Sequence, residues 1–309
     1  MPGERGTLTI QNRVDLHCHT AASDGSLSPE ALVARAASQG LEVVGITDHD
    51  TTSGLDAALA AGRTHGVTVV PGVEISAVTE SEEVHLLGYF IDRENPELRA
   101  MLTRTCDARR ERAREMLARL TQLGLPLDWE RLLEVAGEGT AIGRPHVAAM
   151  LLEAGHIESW EEAFERWIGR DCPAYVERYK LSPEEAIALV RRSGGLPVVA
   201  HPYIYSRQGE RRHGLNLKSW LPRLCEAGLA GIEIYYPNYP REASRHLLSL
   251  AIKHRLAITG GSDFHGGSAG SALGSVYVPW AAWQGLLRRY EHVAQRRTEQ
   301  AGKQALAAD

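Results

Sequence analysis

Short apolar runs of strand character alternate with helix-like segments along most of this chain, and no other feature restricts the fold as strongly. VDLHCHT (14–20) precedes a helix capped by Ser28, with Pro29 in its first turn, that closes at Gly40. VVGITDH (43–49), a second helix over GLDAALAAGRTHG, VTVVPGVEIS (67–76) and VHLLGYFI (84–91) follow. The alternation then stops. From Asn95 to Lys180 the pattern is helical, beginning with one long amphipathic helix that ends at Gly124 and carries Leu98, Leu102, Met116, Leu120 and Leu123 as its apolar stripe. WERLLEVAG, RPHVAAMLLEAG and SWEEAFERWIG predict three shorter helices. Strands return at LPVVAHP (196–202), GIEIYY (231–236), LAITGGSDFH (256–265) and SVYVP (275–279), again separated by helices.

Repeated βα units require a mostly parallel sheet with helices outside. About seven or eight units point to a closed or distorted barrel. A doubly wound sheet would need a phosphate fingerprint after its first strand, and HTAASDG is not G-x-G-x-x-G. The expected architecture is therefore an α/β barrel built from 13–94 and 180–294, a helical insertion over 95–179, and a frayed polar tail over 295–309. Four scattered cysteines without a C-x-x-C pair give neither a disulfide scaffold nor a zinc ribbon, so a reduced, cytoplasmic chain is expected. MPGERGTLTIQNR has no apolar core of a secretory signal, and no run reaches the roughly 20 residues needed to span a bilayer.

Ligand-type residues stand at the ends of these strands. The first ends His17-x-His19, the second Asp48-His49-Asp50, the third with Glu74, the fifth at His201, and the seventh Asp263-x-His265. His85 is the exception, lying early in the fourth. Side chains alternate along a strand, so His17 and His19 share one face, as do Asp263 and His265. In a barrel the carboxyl ends of parallel strands form one surface, so these remote residues meet there. A single His-x-His pair would read more readily as surface histidines; its repetition among apolar neighbours does not. Histidine and carboxylate donors without cysteine suit Mn²⁺, Zn²⁺ or Fe²⁺. They outnumber the places on one ion, so two or three ions are implied, with a carboxylate such as Glu74 bridging.

Other signals carry less. Gly266-Gly267-Ser268-Ala269-Gly270 matches G-x-S-x-G but sits in a small-residue loop after Asp263-x-His265, which reads as a loop over the site rather than a nucleophile elbow. Arg109, Arg110, Arg112 and Arg114 interleave with Glu111 and Glu115, which reads as a solvated helix face. The net charge of −5 offers no general footprint for duplex DNA, so any nucleotide must be held locally.

VDLHCHTAASDGSLSPEALVARAASQGLEVVGITDHDTTSG, PGVEIS, AHP and GSDFH together resemble the PHP (polymerase and histidinol phosphatase) superfamily, and most of all its branch of TrpH-like nucleotide phosphoesterases. The match covers about residues 13–92 and 195–280. The resemblance implies a distorted (β/α)7 barrel with a trinuclear centre, often of manganese. It assigns His17, His19, Glu74 and Asp263 to one ion. Glu74 bridges to a second ion held also by His85 and His201, and Asp24, His49 and His265 hold the third. Asp48 and Asp50 are then expected to orient His49. GRPHVA (143–148) resembles the family's cap motif, which would bring Arg144 onto a phosphate and make His146 a hydrogen-bond partner or proton donor. Arg178, Lys180 and Tyr205 are weaker candidates.

The implied activity is attack of a metal-activated water on phosphorus. The implied substrates are 3′,5′-bisphosphonucleosides, cut at the 3′-phosphate, or short single-stranded RNA degraded from its 5′ end. A histidinol-phosphate-type phosphatase and a non-catalytic metal-binding regulatory module are the alternatives. No duplex DNA, membrane or obligate protein partner is expected.

Overall fold

The structure is a computed structural model and describes residues 13–80, 82–137, 140–205, 210–266 and 271–306. In chain order β1 is Val14–Cys18, α1 Pro29–Ser38, β2 Val43–Ile46, α2 Leu55–His65, β3 Thr68–Val78 and β4 Glu83–Tyr89. The insertion follows with α3 (Pro96–Gln122), α4 (Trp129–Ala136), α5 (Arg144–Glu153) and α6 (Trp160–Glu162), the last running into a π-helical turn over Ala163–Trp167. Then come α7 (Pro183–Arg192), β5 (Leu196–Val199), β6 (Tyr203–Tyr205), β7 (Arg211–Gly214), α8 (Leu217–Ala227), β8 (Gly231–Tyr235), α9 (Arg241–His254), β9 (Ala257–Gly260) and α10 (Trp280–Leu306).

Seven strands form one sheet in the order β1-β2-β3-β4-β5-β8-β9. It nearly closes: Cys18 bridges Phe264, and the His19 N–H donates to the Phe264 carbonyl at 2.8 Å. Every pairing is parallel except those of β4, which runs antiparallel to both β3 and β5. The reversal follows from length, because only the short turn after Val78 joins β3 to β4, and such a link cannot make a parallel crossover. β1 and β2 approach so closely at Gly45 that any Cβ would lie 2.2 Å from the Leu16 carbonyl oxygen. Gly261 is bound by the same constraint, since a Cβ there would lie 2.4 Å from the His17 nitrogen.

Helices α1, α2, α7, α8 and α9 bury Leu32, Leu55, Ile187, Leu224 and Leu247 against the outside of the sheet. Burying each such side chain contributes about 1.5–3 kcal/mol. At the strand starts, Val14, Val43 and Leu196 pack with Trp283 and Leu286 of α10, which closes the barrel floor. The insertion has its own core of Met116, Leu120, Leu132, Val147, Leu151 and Ile168.

Two expectations are corrected. SVYVP is not a strand. The barrel closes through Phe264, so a strand after β9 finds no free edge, and Val278 packs instead into the α10 cluster. The stretch beyond Gln295 is helical to Leu306, consistent with its Ala, Gln, Glu, Lys and Arg content, all strong helix formers. The hairpin β6–β7 after His201 was not anticipated, its strands being only three and four residues long. The Gly-Ser loop falls mostly at 267–270, outside the described residues. No helix among the described residues is long and apolar enough to cross a membrane.

Candidate metal centre

The residues singled out from strand ends converge at one mouth of the barrel. His17 lies in β1 one residue before its end, and His19 and Asp24 lie in the loop that follows. His49 follows β2, Glu74 lies in β3, His201 follows β5, and Asp263 and His265 follow β9. His85 is no exception in space. Because β4 runs backwards, its early residues lie where its neighbours' late residues lie, and His85 pairs with Ser76.

Glu74 is the hub, fully buried. Its Oε2 lies 3.2 Å from His17 Nε2, 3.1 Å from His19 Nε2 and 3.2 Å from His49 Nδ1. Its Oε1 lies 2.8 Å from His85 Nδ1 and 3.0 Å from His201 Nε2. Asp263 Oδ1 adds a second acid, 3.3 Å from His17 Nε2 and 3.0 Å from His19 Nε2. Asp24 faces His265 Nε2 at 3.3 Å, His19 Nδ1 at 3.8 Å and His49 Nε2 at 3.9 Å. Three overlapping donor sets result: His17, His19, Glu74 and Asp263; His49, Glu74 and His85; and His19, Asp24, His49 and His265. His19 and His49 each fall in two sets, where the family pattern gave each to one ion.

The donors fit divalent cations. Both nitrogens of His19, Nδ1 of His49, Oδ1 of Asp24 and Oδ1 of Asp263 are buried without a hydrogen-bond partner among the described residues. An unmade hydrogen bond at a buried polar atom costs about 1–3 kcal/mol, so a pocket of such atoms asks for a ligand. Burial alone would raise the Glu74 carboxyl, yet His49, His17 and His85 hold it well below the ordinary range. Burial pushes His49 down to about 3, against the pull of Glu74 and Asp24. Against its burial, Glu74 and Glu83 lift His85 to about 10.

Supporting groups orient these donors. Glu233, buried in β8, was not foreseen. Its Oε1 lies 3.1 Å from His17 Nδ1, and its Oε2 accepts the His201 N–H at 2.7 Å. With Nδ1 donating to this carboxylate, the His17 lone pair sits on Nε2, facing Glu74 and Asp263. Tyr236 donates to Asp263 Oδ2 at 2.7 Å, which leaves Oδ1 toward the histidines. His265 Nδ1 lies 2.9 Å from the Asp263 carbonyl oxygen, which turns Nε2 to Asp24. Asp15 ties the loop before Asp263 by accepting from the Ser262 N–H (2.9 Å), the Ser262 hydroxyl (2.6 Å) and the Gly274 N–H (2.8 Å). Asp50, His201 and Asp263 all have positive φ, at 52°, 20° and 51°, a concentration of backbone strain at the site. Glu233→Gln is expected to weaken metal affinity about 10–100-fold while leaving the fold intact, read by competition with a fluorescent chelator. Unchanged affinity would remove Glu233 from the site.

Asp48 and Asp50 do not bond the His49 ring. Asp48 accepts from the Thr20 N–H, the Thr20 hydroxyl and the Ser23 hydroxyl, fixing the loop that carries Asp24. Asp50 accepts from Arg109 at 2.6 Å and Arg178 at 3.0 Å. Arg109 and Arg112 are therefore not a solvated face. They are 5% and 7% exposed, turned in toward the barrel, while Arg110 and Arg114 face solvent. Arg178 likewise points inward, and Tyr205 packs edge-on against Tyr239.

The helical insertion covers one side of the mouth. Arg144 begins α5 and reaches Glu83 at 3.6 Å, and Glu83 lies 3.6 Å from His85 Nε2. A cavity of about 190 Å³ is lined by His85, His201, Glu83 and Arg144. A second, of about 390 Å³, shares Glu83 and Arg144 and continues to Arg170, Tyr175 and Lys180. Lys180 pairs with Glu83 at 3.2 Å and Glu177 at 3.0 Å. His146 is nearly buried, and its Nδ1 accepts the Gly143 N–H at 2.9 Å, capping α5. Burial lowers its pKa, so the ring is neutral with its proton on Nε2.

A barrel mouth with clustered imidazoles and carboxylates, beside a cavity lined by cations, is the build of a metal-dependent phosphoesterase. Residues 15–167 match the sequence model of the PHP domain. A 5'-3' exoribonuclease Rnm of Salmonella typhimurium is 35% identical over 284 residues, 87% of this chain and 93% of the relative. A 3',5'-nucleoside bisphosphate phosphatase of Chromobacterium violaceum is 32% identical over 264 residues, 84% of this chain and 90% of the relative. A crystal structure described as that of a metal-dependent phosphoesterase from Bifidobacterium adolescentis superposes with a TM-score of 0.82 at 36% identity, covering 89% of this chain and 96% of that one. The chain belongs to the PHP family and is an enzyme of its metal-dependent phosphoesterase class.

Proposed function

We propose that the protein hydrolyses nucleotide phosphates, removing the 3′-phosphate of 3′,5′-bisphosphonucleosides and trimming short single-stranded RNA from its 5′ end. The observation that carries this is the placement of Arg144. It lines both cavities, one holding His85 and His201 and the other holding Lys180, so a phosphate beside the metal ligands also meets a guanidinium. The relatives that act on RNA and on nucleoside bisphosphates match most of the chain. The two substrates share a chemistry, since each is cut at the ester next to a nucleoside 5′-phosphate.

Three divalent ions, manganese as the family resemblance implies, with zinc or iron also suited to the donors, would be held by His17, His19, Glu74 and Asp263, by Glu74, His85 and His201, and by Asp24, His49 and His265. Bound there, they would supply Lewis-acid charge and a water acidic enough to attack phosphorus near neutral pH. The chain's own residues do the rest. Arg144, poorly matched to Glu83 at 3.6 Å, can fork onto two equatorial oxygens and offset the charge that grows on them. Neutral His146, held by Gly143, is the candidate donor toward the leaving oxygen. Residues 95–179 act as a cap whose charged side fixes the substrate.

The test is phosphate release from adenosine 3′,5′-bisphosphate by the Mn²⁺-loaded protein, with 5′-phosphorylated RNA trimers and histidinol phosphate in parallel. Release from the nucleotides is expected, and Arg144→Ala should lower kcat/KM about 100-fold or more, the cost of a lost charged donor. Turnover of histidinol phosphate alone would overturn the nucleotide reading, and no turnover of any substrate would leave a metal-binding module.

A further inference from the structure

Glu83 lines both cavities at the mouth, although a carboxylate has the wrong charge for a phosphate pocket. It belongs to none of the three donor sets. Its place comes from the strand. β4 begins at Glu83, and side chains two apart share a face, so Glu83 and His85 point the same way from the reversed strand.

The two oxygens of Glu83 face different groups. Oε2 lies 3.2 Å from Lys180 Nζ and 3.6 Å from Arg144 Nη2, while Oε1 lies 3.6 Å from His85 Nε2. The Lys180 side chain is almost wholly buried and is held again by Glu177 at 3.0 Å, so it anchors the carboxylate. The two nitrogens of His85 are divided in the same manner. Nδ1 lies 2.8 Å from Glu74 Oε1, and Nε2 is turned to Glu83. A nitrogen that holds an ion offers its lone pair, so the ring proton belongs on the other nitrogen, the one facing Glu83. His17 has the same build with its nitrogens exchanged: Nδ1 faces Glu233 and Nε2 faces Glu74. At 3.6 Å Glu83 acts on the ring by charge rather than through a made hydrogen bond, so its anchoring by Lys180 matters.

We infer that Glu83 is a positioning residue for His85. Its carboxylate, anchored by Lys180, holds the imidazole with the proton on Nε2 and the lone pair of Nδ1 toward Glu74. The inference rests on the reading of His85 as a metal ligand, and not on which phosphate ester is cut. It also accounts for an acid among the cations of the cavity: Glu83 is there for the ring and not for the substrate. A carboxylate behind a ligating histidine is worth about 10–100-fold in metal affinity.

The test is a double-mutant cycle on metal affinity, read by titrating the metal-free full chain with Mn²⁺ against a fluorescent chelator. Glu83→Ala is expected to weaken binding about tenfold or more. Glu83→Gln, which keeps the shape and one acceptor oxygen, should lose less, about threefold to tenfold. In a His85→Ala background Glu83→Ala should change nothing further, because the ring it acts on is gone. Affinity within twofold of wild type in Glu83→Ala, or an equal loss with and without His85, would overturn the assignment. Thermal melting reports on folding. If Glu83→Ala does not fold, the isosteric Glu83→Gln carries the test, and affinity within twofold of wild type overturns the assignment there. Kinetics on adenosine 3′,5′-bisphosphate separate positioning from substrate contact. A residue acting through the metal site should lower kcat and leave KM within threefold, whereas a raised KM at unchanged kcat would make Glu83 a substrate contact and end the proposal. If the wild type does not turn over the nucleotide, the nucleotide reading fails and the metal titration still decides the role of Glu83.

Discussion

Glu74→Gln is expected to reduce kcat/KM about 1,000-fold or more and to strip bound metal from the purified protein. The two Glu74 oxygens serve different partners: Oε2 faces His17, His19 and His49, and Oε1 faces His85 and His201. A glutamine keeps the shape but has one oxygen, no charge, and an N–H₂ group aimed at lone pairs that should be free. Metal sites contribute several kcal/mol of transition-state stabilisation, and each 1.4 kcal/mol is tenfold in rate, so the loss is about three decades or more. Elemental analysis and kinetics on the same preparation provide the check. A variant with full metal content and activity within tenfold of wild type would show that Glu74 does not bridge ions.

Asp50→Asn is expected to cost about 3–5 kcal/mol of stability, the usual consequence of breaking a buried ion pair from one side. Two guanidiniums, Arg109 and Arg178, would be left without their counter-charge, and the Ser76 N–H would lose its charged acceptor. Asparagine tolerates the positive φ at this position, so the backbone is not the cause of the loss. The effect has a pH signature. Burial alone would raise the Asp50 carboxyl, but Arg109 and Arg178 bring it below its ordinary value. A depressed carboxyl contributes its full stabilisation above the unfolded value near pH 4, and loses it as pH falls through the folded value. The stability difference between wild type and Asp50→Asn should therefore narrow below about pH 4, as seen in urea midpoints. A constant difference from pH 7 to pH 3 would mean that the carboxylate's charge is not what matters.

Much of this site can be read in the chain because the barrel converts periodicity into position. A histidine at the end of an apolar run has one place to go, so His17, His49, His201, Asp263 and His265 need no tertiary information. His85 stands early in its strand, and only the antiparallel course of β4 carries it to the same mouth. Glu233 escaped notice because a lone carboxylate inside GIEIYY lacks the His-x-His spacing, although an acid in an otherwise apolar strand was the available signal. Arg109 and Arg112 were hidden by composition. Their acidic neighbours mimic a surface helix, and only the four- and three-residue steps from Thr105 to Arg109, Arg112 and Met116 place them on the inner face. Asp50 was credited with orienting His49, because adjacency in sequence says nothing of the arginines that arrive from the insertion.

Helix α3 has a mechanical consequence. It spans 27 residues, roughly 40 Å at 1.5 Å each. Leu98 and Leu102 at its start belong to the hydrophobic cluster of the barrel, while Met116 and Leu120 belong to that of the insertion. One continuous rod is thus shared by two bodies. A swinging lid would have to snap that rod between Leu102 and Ala113, where Arg109 is clamped to Asp50. The insertion is therefore braced against the barrel, and the space between Arg144 and Glu83 keeps its shape.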